Sequence, residues 1–241
     1  MARTTLLRIA AAVLLCGGTL FADSTQAIER ALGPYYAALV ASSRGNIDAT
    51  SRHLLLFASR WKTASREART SPPRAIEQDP EWPAVLDQVN AAIERAREMV
   101  RVRDVAGAHA ELEVIRSAIR DVRARHHALT FDDYMTDYHE AVERMIGHVA
   151  GRNEIRLTAR DFAEADEDLR AALAAWQTVQ ASAGRLAGQP GWAAAAREAS
   201  AALDQAQRAI AAKNATSAGR SAERVKTTYY DLLLAVSKAR G

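Results

Sequence analysis

The residues of this chain whose types and spacing could do chemistry are two histidines and two glutamates. His109 and Glu113 stand four apart, and so do His139 and Glu143. On a helix, that spacing puts both members of a pair on one face, a turn apart. If the two helices run antiparallel, two imidazoles and two carboxylates converge. Imidazole nitrogen with carboxylate oxygen suits a divalent transition metal such as zinc, iron, manganese or copper. Asp132, Asp133 and Glu140 are further carboxylates close by in sequence. The competing role is structural. Glu113 precedes Arg116 by three, which is the spacing of an ordinary ion pair on a helix surface.

Other chemistries are missing from the sequence. It has no glycine-rich phosphate loop, no nucleophile elbow and no His-Glu-x-x-His. The expectation is therefore a protein that is not an enzyme. The one cysteine, Cys16, falls in the apolar leader described below. Without it the chain has no thiol for disulfides, thiolate metal sites, cysteine catalysis or thioether-linked haem. Met99, Met135 and Met145 are too scattered for a soft copper carrier and read as packing residues.

Each pair must be carried by a helix. Ala108, Leu112, Ile115, Ile119 and Val122 repeat at helical spacing and form a stripe that seeks a partner. Beside it lie His109, Glu113, Arg116, Arg120, Arg123 and His127, on the flank of that stripe, exposed to solvent or to a neighbouring helix. Asp104 is the expected N-cap of this helix. Thr130 and Asp133 form an expected capping box for the next, whose inward face is Tyr138, Ala141, Val142, Met145 and Val149. His126 and His127 end the first of the two helices, where an imidazole meets the negative end of the helix dipole. His53 and His148 read as surface or boundary residues.

The remaining periodicity predicts six more helices. One runs from Ile28 to Ser43, with Gly33-Pro34 kinking or delaying it. The second is capped by Asn46, and the third by Asp79 with Pro80 in the first position. Val85, Val89, Ile93, Ala96 and Val100 form the expected buried face of the third. The others begin near Asp161, at Gln189-Pro190 and after Asn214.

A duplication runs through this order. Asp79-Pro80-Glu81-Trp82 matches Gln189-Pro190-Gly191-Trp192. At the same offset Ile93 matches Leu203, Asp104 matches Asn214, Glu113 matches Glu223 and Arg116 matches Lys226. His109 departs from the pattern, because its counterpart is Gly219. Leu54 and Trp61 match Leu169 and Trp176 at a slightly different offset. The expected fold class is all-α, two tandem four-helix up-down units spanning residues 25–128 and 131–241. The tryptophans are expected to be core residues near one end of each bundle.

Composition agrees with helix. Hydrophobic residues make up 49% and charged residues 25%, while glycine and proline are sparse. Arginines alternate with acids along the helices, the pattern of a salt-bridged surface, and no basic face is interleaved with aromatics. Nucleic acid is accordingly not an expected partner.

Residues 1–24 read as a cleaved signal peptide. Arg3 and Arg8 are its positive start, Ile9 to Phe21 its apolar stretch, and Ala22-Asp23-Ser24 its small-residue end. Removing it takes two of the +3 formal charges away. Lipidation at Cys16 is disfavoured, because Leu15 stands where a small residue belongs. The apolar run is short for a transmembrane span, and no later stretch is apolar enough. The expectation is an exported, periplasmic helical-bundle protein that binds or scaffolds another envelope protein through its helix faces. The alternative is a periplasmic metal-binding protein that uses His109, Glu113, His139 and Glu143.

Overall fold

The computed structural model describes residues 24–150 and 157–240. The expected leader, with Arg3, Arg8 and Cys16, lies outside the described residues. Those described fold into eight α-helices, with no strand among them. These are α1 (Thr25–Ser43), α2 (Ile47–Thr70), α3 (Trp82–Arg101), α4 (Val105–Arg125), α5 (Phe131–Val149), α6 (Ala159–Ser182), α7 (Pro190–Ala211) and α8 (Ala215–Arg240). Short 3-10 turns lie at Arg74–Ile76 and Gly184–Gly188. No helix among the described residues is long and apolar enough to cross a membrane.

Three of the connections are built alike. Gly45, Arg103 and Lys213 adopt left-handed backbone, with φ of 70°, 60° and 50°. The residue that follows each one caps the next helix. Asn46 accepts from the Ala49 N–H at 3.0 Å, Asp104 from Gly107 at 2.8 Å and Asn214 from Ser217 at 2.9 Å. One left-handed residue reverses the chain, and the next satisfies an N–H that the new helix leaves open. The Thr130–Asp133 capping box opens α5, and Thr158 with Asp161 forms a second one at α6.

Pro34 lies inside α1 without ending it. The carbonyl its missing N–H would have served, that of Arg30, accepts from the Arg60 guanidinium at 3.1 Å instead. The expected delay at Gly33-Pro34 is therefore not seen: the helix starts earlier, at Thr25, and continues past Pro34.

The start of α3 also corrects the sequence reading. The helix begins at Trp82, and Pro83 rather than Pro80 lies in its first turn. Asp79 is not its N-cap. The Asp79 carboxylate accepts from the Glu81 N–H at 2.8 Å and, from the end of α4, from Arg125 at 3.1 Å and His126 at 2.7 Å. A buried carboxyl with three donors ties two segments together more effectively than it would cap one helix. The buried face is centred on Trp82, Leu86, Val89, Ala92, Ile93 and Ala96, while Val85 and Val100 are only partly covered.

Helices adjacent in sequence pack along their lengths as α1–α2, α3–α4, α5–α6 and α7–α8. Shorter contacts join α2 to α3 and α6 to α7, while α1 closes on α4 and α5 on α8. Between the first four helices and the last four, α1 lies along α8 and α4 meets α5. The aliphatic and aromatic side chains form one continuous buried cluster drawn from all eight helices. Burying a side chain the size of Leu112 or Ile115 contributes about 2 kcal/mol, and both are fully covered. Trp61 donates to Asn90 at 3.0 Å and Trp176 to Ser200 at 2.9 Å. Trp82 and Trp192 are each 3% exposed.

Candidate metal centre

The apolar stripe of α4 fixes where its polar neighbours go. Ala108, Leu112, Ile115, Ile119 and Val122 are all buried. With that face held, the adjacent stripe turns toward α5 and α8, and most of it is not solvated. Arg116 and Arg123 are buried, and only His127 stands fully exposed. Arg120 donates to Asp137 at 2.6 Å. Arg123 pairs with Asp133 at 3.3 Å and donates to Thr130 at 3.1 Å. The seam between α4 and α5 is thus polar along its length, within an otherwise apolar core.

At its far end the four expected residues come together around Glu113. Glu113 Oε1 lies 3.3 Å from His109 Nε2, and Glu113 Oε2 lies 3.7 Å from His139 Nε2. Glu143 Oε1 lies 4.0 Å from the same His139 nitrogen. Two cations close the group: Arg116 pairs with Glu113, and Lys226 of α8 lies 3.0 Å from Glu143. Two tyrosines of α8 form a wall. Tyr229 packs on the His139 ring with centroids 4.6 Å apart, and the Tyr230 hydroxyl lies 3.3 Å from His109 Nε2.

Hydrogen bonding around Ser42 favours one His109 tautomer. The Ser42 hydroxyl donates to the Leu39 carbonyl at 2.9 Å, so toward His109 Nδ1, 2.8 Å away, it acts as acceptor. Nδ1 therefore carries the proton. Nε2 then accepts from the Tyr230 hydroxyl and lies beside Glu113 Oε1, which makes no hydrogen bond among the described residues. A ring nitrogen oriented in this way by a hydrogen bond at its other nitrogen is the usual arrangement of a metal-binding histidine.

His139 has no hydrogen-bond partner among the described residues. Its side chain is 8% exposed, its Nδ1 is unpaired, and its Nε2 faces carboxylate oxygens beyond hydrogen-bond reach. Burial is the main reason that both imidazoles stay neutral. It drives His109 down to about 4 and His139 down to about 2, helped by the charges of Arg116 and Lys226. Neutral imidazole is the form that binds a metal.

Two donors on one ion, each about 2.1 Å from it, lie roughly 3 to 3.5 Å apart. Separations of 3.3, 3.7 and 4.0 Å are close to that range and on its wide side. Among the described residues, no group of three or more His, Cys, Asp or Glu side chains is arranged as it stands to hold a metal ion. The donor types fit, and each carboxylate is already paired with a cation, Glu113 with Arg116 and Glu143 with Lys226. Asp132, Asp133 and Glu140 do not join. Asp132 accepts from Tyr36 at 2.6 Å and pairs with Arg240 at 2.8 Å, Asp133 belongs to the capping box, and Glu140 is exposed.

Ser42, Lys226, Tyr229 and Tyr230 do not stand out in the sequence as members of this site. Lys226 carried a signal, since it aligns with Arg116 at the offset that also aligns Glu113 with Glu223, and the two cations enter the cluster from α8 and α4. Gly219, where the pattern would have placed another His109, lies against α5. A Cβ there would come within 3.1 Å of the Val149 carbonyl. His126 pairs with Asp79 rather than acting only on the helix dipole. His148 lies between Asp168 at 3.1 Å and Glu164 at 3.4 Å. Comparison of the chain with protein-family models, with curated proteins and with solved structures finds no match.

Proposed function

We propose that this is a metal-binding helical protein of the bacterial envelope, with His109, Glu113, His139 and Glu143 as its ligands. The observation that carries the reading is the pair His109 Nε2 and Glu113 Oε1. The ring nitrogen and the carboxylate oxygen lie 3.3 Å apart, and Glu113 Oε1 is buried without a hydrogen bond among the described residues. A cation bridging them gives that oxygen a partner and gives His139 the one it lacks. The ion would add charge and cross-link α4 to α5. The chain supplies neutral imidazoles, fixed by burial and by Ser42.

The envelope location rests on the leader of residues 1–24, and the reading of the chain as two four-helix units on an internal duplication. That duplication is supported by the matching turns at Arg103 and Lys213 and by the tryptophan bonds to Asn90 and Ser200; the turn and acceptor residues keep the repeat offset, and Trp61 and Trp176 stand at the slightly different one. The units would span residues 25–128 and 131–241.

A second reading is favoured by charge balance. Arg116 and Lys226 already offset Glu113 and Glu143. In that case the cluster is a joint, and the protein is a non-catalytic binder or scaffold that meets an envelope partner through its helix faces. Metal analysis of protein purified from its native compartment separates the two. The metal reading expects one equivalent of a divalent transition metal, lost in His109→Ala. Metal-free protein that also takes up no zinc on titration supports the joint.

A further inference from the structure

The two cations of the cluster are held very differently. Arg116 is 7% exposed in its side chain, pairs with Glu113 and donates to the Tyr229 hydroxyl at 2.6 Å. Lys226 is 35% exposed, and its partner among the described residues is Glu143 alone, at 3.0 and 3.3 Å. A planar guanidinium with two fixed partners stays in place, whereas an ammonium on a flexible, half-solvated stem leaves readily. The Glu143 side chain is 36% exposed although its Oε1 is buried, so the Lys226 side of the cluster is its more solvated edge.

We propose that Lys226 is the resident cation of this site, exchanged for a divalent ion when one enters. The inference rests on the metal-binding reading above. The ammonium lies against Glu143 Oε1, the oxygen that also faces His139 Nε2. While it is there, it neutralises the carboxylate and repels a second cation. Once it swings outward, Glu143 is free to close on His139, and the wide 4.0 Å separation can contract. Lys226 thereby sets the affinity threshold. The site rejects ions that do not compensate for the lost pair and admits those that bind imidazole strongly, so zinc or copper is preferred over magnesium or calcium.

Isothermal titration of the metal-free chain with zinc tests this, using wild type, Lys226→Met, Lys226→Arg and His139→Ala. Lys226→Met removes the competing charge and is expected to tighten zinc binding by roughly tenfold or more. Lys226→Arg keeps the charge and is expected to show no such gain. His139→Ala is expected to weaken binding by roughly a hundredfold. Helical circular dichroism of each variant checks that α8 is intact. Equal or weaker binding by Lys226→Met, with His139→Ala still impaired, overturns the exchange and leaves the metal site standing. No binding by any form overturns both.

Discussion

Arg116 of α4 donates to the hydroxyl of Tyr229 on α8 at 2.6 Å while also pairing with Glu113. One buried guanidinium therefore connects the fourth helix to the eighth. Tyr229 is pushed up to about 12, mainly by burial and against the opposing charge of Arg116, so the phenol accepts this bond while neutral. Replacing Arg116 with Met leaves Glu113 without its cation in a half-buried setting. A loss of about 3 kcal/mol in urea unfolding is expected. Arg116→Lys should recover only part of it, since one ammonium does not reproduce the fork.

Stability should fall with acid in two overlapping windows. His109 and His139 are held neutral in the fold, whereas the unfolded chain takes up protons below about 6.5. From that value down to about 4 for His109, and on to about 2 for His139, the unfolded state binds more protons, so metal-free protein loses stability as pH falls through this range. His139→Gln should flatten that slope. Asp79 behaves as a depressed carboxyl. Burial opposes its charge, but His126, the Glu81 N–H and Arg125 outweigh it. Its contribution is complete above the usual carboxylate range and is lost only below it. Asp79→Asn should therefore lower stability at pH 7 and remove part of the fall below pH 4. Denaturant midpoints across pH for the three proteins check both windows.

Asp104 and Asn214 cap α4 and α8 through equivalent bonds in equivalent turns. Alanine at either position should cost about 1 kcal/mol, and the double variant about the sum. Marked non-additivity in urea unfolding would show that the two turns do not act as independent copies.

The helices and most caps were legible because they are local. Asn46, Asp104, Thr130 and Asn214 announce themselves by type and position, and the α4 stripe by its period. The start of α3 was not legible, because Asp79 is recruited by Arg125 and His126 across the fold, and no local rule contains that contact. The convergence of His109, Glu113, His139 and Glu143 followed from spacing and an antiparallel hairpin. Its outer half did not. Lys226, Tyr229 and Tyr230 arrive on α8, more than 80 residues away from Glu143, by a packing of α8 on α5 that pattern alone does not orient.

X-ray absorption at the zinc edge, on chain loaded with one equivalent of zinc, examines the proposed ligand set most directly. The expected spectrum shows two imidazoles and two carboxylates at about 2.0–2.2 Å, with one imidazole lost in His139→Ala. A spectrum without histidine scattering, or a chain that retains no zinc after desalting, would contradict it.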